Sequence, residues 1–320
     1  MRNQISFLTV FTLIMLMCHA VYGISQKDIS AEEWYRKGMS YFESKQYEKA
    51  IEAFSKTLEL SVRFARAYIN RGNAWSRKGE YDRAIIDYTK ALEINPQFAD
   101  GYYNRGIALS YKGKYALAVQ DFTKSLQLNP NDAESYQSRG IALVKLGKLD
   151  LAIKDYTMAI EIDGQNADFY YNRGNALAMQ GNLDAAIEDY TKAIELDPEN
   201  AIFYHNRGNL WVRKSEYDKA IADYSEALKI NPKFVEAYYN RGRAWDGKNE
   251  LDRAISDYTQ VLTINPRFDE TYFNRARAFY QTGALQKAIA DARKALALNP
   301  EDKDYQRLLE FLEKQAKEKR

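Results

Sequence analysis

Fourteen charged side chains in this chain stand at one fixed separation. Arg71, Arg105, Arg139, Arg173, Arg207, Arg241 and Arg275 are each followed sixteen residues later by an aspartate: Asp87, Asp121, Asp155, Asp189, Asp223, Asp257 and Asp291. A guanidinium is a planar fork of donors that meets a carboxylate in two parallel hydrogen bonds, so matched columns of this kind can hold two helices together. A row of arginines can also bind a polyanion, but seven matched carboxylates favour the structural ladder. Immediately before these arginines stand Asn70, Asn104, Asn172, Asn206, Asn240 and Asn274, with Ser138 before Arg139. Each carboxamide offers two donors and an acceptor, which suits capture of an extended peptide backbone whatever its side chains. Bracing of a neighbouring helix is the other reading, and the residues alone leave both open.

Groups for covalent or metal chemistry are scarce. Cys18 is the one cysteine, and His19 and His205 are the two histidines. Cys18 and His19 lie in a segment expected to be removed, which would leave the mature chain one imidazole and no thiol. That excludes disulfides, thiolate zinc sites and cysteine nucleophiles. Neither a phosphate-binding loop nor a dinucleotide fingerprint is present, and His205 takes the place of a tyrosine in register. The expectation is a non-enzyme with no cofactor and no metal. A formal charge of +2 on 320 residues, 46% of them hydrophobic and 28% charged, gives no reason to expect nucleic acid as a partner.

The N-terminus reads as an address. Arg2 precedes an apolar run from Ile5 to Cys18, and small residues follow at Ala20 and Gly23. The run is 14 residues long, short of what spans a bilayer, so a secretory signal peptide over residues 1–23 is expected, cleaved after Ala20 or Gly23. The mature chain is then periplasmic or secreted, with no membrane span and a short linker over 24–30. Lipid anchoring through Cys18 is the lesser alternative, because bulky Met17 fills the site before it.

From Ala31 the chain repeats every 34 residues without insertion, in blocks 31–64, 65–98, 99–132, 133–166, 167–200, 201–234, 235–268 and 269–302. Position 8 of the blocks is Gly38, Gly72, Gly106, Gly140, Gly174, Gly208, Gly242 and Ala276, and position 20 is alanine in all eight, from Ala50 to Ala288. Small residues in both halves predict a helical hairpin with a close crossing. Apolar residues at positions 17, 20, 21, 24, 27 and 28 give the second half a 3.6-residue stripe. Glycine at position 15 in Gly79, Gly113, Gly147, Gly181 and Gly283 stops the first helix, and Asn-Pro at positions 31 and 32 stops the second. Ser30 and Glu33 form a capping box for the first helix.

These residues resemble the tetratricopeptide repeat family: an aromatic at position 4, Gly at 8, aromatic or Leu at 11, Ala at 20, aromatic at 24, Ala at 27 and Pro at 32. Trp34, Gly38, Tyr41, Ala50 and Phe54 carry the pattern in the first block. The resemblance implies an all-α fold, a right-handed α-solenoid of about sixteen antiparallel helices whose first helices line a concave groove. Arginine at position 7 departs from the family's usual leucine. Family members that bind chaperones grip a C-terminal carboxylate with Lys at 5 and Asn at 9, then Asn at 6, then Lys at 2 and Arg at 6, and no three consecutive blocks here hold that set.

By the same resemblance, positions 2, 5, 6, 9, 12 and 13 face the groove. This places there the asparagine column, the rings of Tyr103, Tyr171, His205 and Tyr239, and the cations Arg243 and Arg277. Of 25 tyrosines, 20 lie at positions 4, 5, 17 and 24, and only those at position 5 are expected to face the groove. Trp34, Trp75, Trp211 and Trp245 are assigned to the core. Residues 303–320 are expected to form an amphipathic capping helix with Tyr305, Leu308, Leu309 and Leu312 against the last block. The function expected is an exported, non-catalytic scaffold that binds a protein or peptide partner in an envelope or secreted complex, with self-assembly as the alternative.

Overall fold

The computed structural model describes residues 29–318, which form seventeen α-helices and no strand. The signal segment, its cleavage sites and Cys18 lie outside the described residues. The chain divides into two compact units at Asn131 and Asp132. The first unit carries α1 (Ala31–Glu43), α2 (Tyr47–Leu60), α3 (Ala65–Arg77), α4 (Tyr81–Ile94), α5 (Ala99–Tyr111) and α6 (Tyr115–Leu128). The second carries α7 (Ala133–Lys145), α8 (Leu149–Ile162), α9 (Ala167–Gln180), α10 (Leu183–Leu196), α11 (Ala201–Arg213), α12 (Tyr217–Ile230), α13 (Val235–Gly247), α14 (Leu251–Ile264), α15 (Asp269–Gln281), α16 (Leu285–Leu298) and α17 (Lys303–Glu318). Each odd-numbered helix up to α15 begins at position 1 of a block and pairs with the helix that follows it.

Local chemistry sets the boundaries. Ser30 Oγ accepts from the Glu33 N–H while Glu33 Oε2 accepts from the Ser30 N–H, closing the box that starts α1. Gly181 ends α9 in the left-handed region at φ 88°. Lys45, Ser215 and Asn249 fill the same position without glycine, at φ between 58° and 62°. The second helices stop at position 30. Beyond them the side chains of Asn95, Asp163, Asn231 and Asn265 accept from the N–H two residues on and hold the turn.

The small residues meet an aromatic ring as well as a crossing helix. All eight alanines at position 20 are fully buried. A methyl group at Gly208 would stand 2.8 Å from the Tyr224 ring, and at Gly38 it would stand 2.5 Å from Phe54, so position 8 is kept bare for the side chain at position 24. In the last block both partners change together: Ala276 replaces the glycine and Ala292 replaces the ring, and both are buried. At the C-terminal end α17 lays Tyr305, Leu308, Leu309 and Leu312 inward, and Leu312 is fully buried with Ala288, Ile289 and Ala292. The four tryptophans are half-buried, and Trp75, Trp211 and Trp245 pack against core clusters at their margin. Trp75, Trp211 and Trp245 each carry a cation from the following helix over the ring face, at 4.5–4.6 Å.

Candidate functional site

The Arg-Asp columns meet within each hairpin. Nε and Nη2 of Arg71, Arg105, Arg139, Arg173, Arg207, Arg241 and Arg275 donate to the two carboxylate oxygens of Asp87, Asp121, Asp155, Asp189, Asp223, Asp257 and Asp291 at 2.7–3.0 Å. The third nitrogen of Arg71, Arg105, Arg173, Arg207, Arg241 and Arg275 donates to Ser55, Thr89, Thr157, Thr191, Ser225 and Thr259 of the preceding hairpin at 2.9–3.1 Å. Those hydroxyls in turn donate to the carbonyl four residues back, as Thr157 does to Ile153 at 2.8 Å. The position-4 tyrosine ring lies beside each guanidinium at 5.5–5.9 Å. Burial pushes the Asp223 carboxyl up and the Arg207 fork opposes it. A hydroxyl at position 25 in seven blocks was visible in the sequence, and the ladder was read without it.

The asparagine column is divided by the residue at position 5 of the preceding block. Asn70, Asn206 and Asn274 donate from Nδ2 to the hydroxyls of Tyr35, Tyr171 and Tyr239 at 2.8–3.0 Å, and Asn240 does the same to Nε2 of His205 at 3.0 Å. These four brace neighbouring helices. Ile69 and Gln137 precede Asn104 and Asn172, and among the described residues these two carboxamides make no hydrogen bond. The rings of Tyr171, His205 and Tyr239 are correspondingly drawn against neighbouring aromatic rings rather than standing free in a groove, whereas Tyr103 lines a cleft. Tyr239 is only 7% exposed and stacks on Phe268 at 5.0 Å, and Tyr171 and His205 lie against Phe203 and Phe234 at 5.0 and 4.9 Å. Tyr103 is half-buried beside Phe122. Burial lowers the pKa of His205, and with Asn240 donating to Nε2 the proton of the neutral ring sits on Nδ1, 3.3 Å from Asn206 Oδ1.

Position 9 adds a second pattern. The buried tyrosines Tyr88, Tyr190 and Tyr224 donate their hydroxyls to Asn73, Asn175 and Asn209 at 2.6–2.8 Å. In the first unit, Asn73 and Asn104 line a cleft of about 530 Å³ across α1, α3 and α5, with Phe42, Arg77, Tyr81, Tyr88, Tyr103, Ile107 and Tyr111. Tyr81 and Tyr111 are parallel, their rings 4.7 Å apart, and Tyr111 is 69% exposed. In the second unit Asn175, Met179, Asn206, Asn209 and Arg213 line a shallower cleft of about 400 Å³ between α9 and α11. Arg243 and Arg277 lie exposed over the rings of Tyr239 and Phe273 on their own helices, each at 5.9 Å. Among the described residues no group of three His, Cys, Asp or Glu side chains is placed to hold a metal ion, and no helix is long and apolar enough to cross a membrane.

Hairpins of this length, with these packing residues, define an all-α tandem-repeat protein. Models of the tetratricopeptide repeat match residues 31–61, 65–98, 99–132 and 167–200, residues 122–154 and 189–222, residues 235–268, and residues 269–302, and a model described as TPR repeat matches 140–181 and 208–244. The chain belongs to the tetratricopeptide repeat family. Among solved structures, YrrB, described as a TPR protein with an unusual peptide-binding site, is 31% identical with a TM-score of 0.52, covering 58% of this chain and 96% of its own. MamA is 28% identical with a TM-score of 0.50, over 53% of this chain and 92% of its own. A TPR repeat-containing protein from Cytophaga hutchinsonii shares the fold at 21% identity, with a TM-score of 0.67 over 75% of this chain and 99% of the other. No curated protein matches the sequence.

Proposed function

We propose that this chain is a non-catalytic scaffold that holds an extended segment of a partner protein along the face made by the first helices of the hairpins within a unit. The observation that carries this reading is the cleft across α1, α3 and α5, where the unpaired carboxamide of Asn104 and the carboxamide of Asn73 sit among Tyr81, Tyr103, Ile107 and Tyr111. A carboxamide with free donors and acceptor can replace backbone hydrogen bonds, and stiff aromatic walls bury partner side chains at little entropic cost. YrrB, with its peptide-binding site, supports the reading. The apolar run in the sequence at residues 5–18 supports export, and with it a partner in an envelope or secreted complex.

Site-specific photo-cross-linking tests it. A benzophenone side chain is placed at Tyr111 in the cleft or at Ile86, which is 62% exposed on α4, and adducts from envelope extracts are mapped by mass spectrometry. Adducts at Tyr111 that trace to one extended segment, and that vanish with Asn104→Ala, are expected. Adducts at Ile86 alone would overturn the proposal, and adducts of the chain with itself would move it to a self-assembling protein.

A further inference from the structure

Two of the five tyrosines at position 24 lack an asparagine at position 9, Tyr156 with Ile141 there and Tyr258 with Arg243, and of these Tyr258 is the one whose hydroxyl is both buried and without a partner. Tyr88, Tyr190 and Tyr224 occupy the same position and donate their hydroxyls to the asparagine at position 9. In the block of Tyr258 that position is Arg243, which has no acceptor to offer. The Tyr258 side chain is fully buried, and its hydroxyl has no hydrogen-bond partner. Such a group carries a desolvation cost that an arriving acceptor would relieve. Position 9 of the next block is also arginine, Arg277. Both guanidiniums lie over an aromatic ring of their own helix, Tyr239 and Phe273, and neither is paired with a carboxylate among the described residues. Burial keeps Tyr258 protonated by pushing its pKa up, and Arg243, Arg277 and Asp246 are the charges that act on its hydroxyl.

On the reading that extended segments bind along the first helices, we propose that Arg243, Arg277 and the Tyr258 hydroxyl form a subsite for the side-chain carboxylate of an aspartate or glutamate in the bound segment. The two guanidiniums supply charge and forked donors, and the buried hydroxyl supplies the donor that no protein group accepts. Asp246 leaves the cluster one net positive charge. Glu236 and Glu270, at position 2 of these helices, are seven residues from the arginine on their own helix, about 10 Å along the axis, and Glu270 faces the hydroxyl of Tyr239, over whose ring Arg243 lies. The family's carboxylate grip carries its cations at positions 2, 5 and 6 and an asparagine at position 9, whereas here the cations themselves stand at position 9 and the floor is the tyrosine of position 24.

Panning a phage-displayed library of dodecapeptides on the mature chain and on an Arg243→Ala/Arg277→Ala variant tests the assignment. The wild type is expected to select peptides with an acidic residue at a fixed distance from an apolar one, and the variant to select the apolar residue without the acid. Selected peptides, synthesised with amidated C-termini and with Glu or Gln at that place, are then compared by fluorescence anisotropy. A preference for Glu of about tenfold at low salt is expected, falling as salt rises. Asp246→Asn should widen it. Tyr258→Phe should narrow it and leave the melting temperature of the free protein equal or higher, whereas Tyr224→Phe, which breaks a made hydrogen bond, should lower it. Peptides without acidic enrichment, or a Glu preference unchanged in the double variant, would overturn the subsite and leave the groove standing. Failure of both proteins to select any peptide would overturn the groove and the subsite together.

Discussion

Single residues in this chain are best judged against their seven counterparts. Ser215 and Asn249 sit where most blocks have glycine, at φ 61° and 62°, and a side chain pays for that conformation. Ser215→Gly is therefore expected to raise stability by about 0.5–1 kcal/mol, despite the added freedom of the unfolded chain, as read by urea denaturation. Loss of stability would show that Ser215 earns its place by a contact. His205 is the other exception. Its counterparts Tyr35, Tyr171 and Tyr239 accept from asparagine through a hydroxyl, whereas His205 accepts through Nε2. Because burial lowers its folded pKa, the unfolded chain binds the proton more readily, and stability is lost as pH falls below the ordinary histidine range. Protonation also sets an N–H on Nε2 against the Asn240 donor. Between pH 7.5 and 5.5 the wild type should lose several degrees of melting temperature more than His205→Tyr, with Glu236 the nearby carboxylate that softens the effect. Equal losses would refute the assignment.

At the scale of the helical pair, the Arg-Asp columns have a consequence that a surface ion pair lacks. The Asp189 side chain is 7% exposed, and Arg173 binds it through two nitrogens and Thr157 of the previous hairpin through the third. Removing either charge alone leaves the other buried, so Arg173→Met or Asp189→Leu should each cost about 3–5 kcal/mol, and the double variant should recover most of that. Thr157→Val should cost about 1–2 kcal/mol through loss of a charge-assisted hydrogen bond. Chemical denaturation of the four proteins gives the coupling directly, and a coupling near zero would make the fork incidental. The period, the helix stops and the pairing of columns were legible because each depends on residue type at a fixed register. The inward turn of Tyr239 was not, because it depends on Phe268 at the end of the block, outside the helix that carries it. The split between braced and free asparagines could have been read: Ile69 and Gln137 offer no aromatic acceptor to Asn104 and Asn172. So could the joint change of Ala276 and Ala292, which swaps a bare position and its ring for two methyl groups.

The whole chain adds the problem of ends. Within a unit an interior hairpin packs on the hairpin before it and on the hairpin after it, so a terminal hairpin keeps an apolar face that something must cover. Here α17 covers it: Leu312 is fully buried, Tyr305 is nearly so, and Leu308 and Leu309 pack on Ala288, Ile289 and Ala292. Arg293 and Glu313 add a 2.7 Å ion pair at the margin, too exposed to contribute much. The apolar face of α17 is thus occupied within the chain, which disfavours its use as a docking surface. Leu312→Ala is expected to cost about 2–5 kcal/mol. Deleting residues 303–320 should do more than subtract that amount, because the newly bared face of α16 lets the last hairpin open and exposes the next. The truncated chain should melt at lower temperature over a broader range, and light scattering should show it associating at concentrations where the full chain does not. A truncated protein that melts as sharply and as high as the parent, and scatters no more light, would mean that the eighth hairpin closes its own edge and that α17 is held there for another purpose.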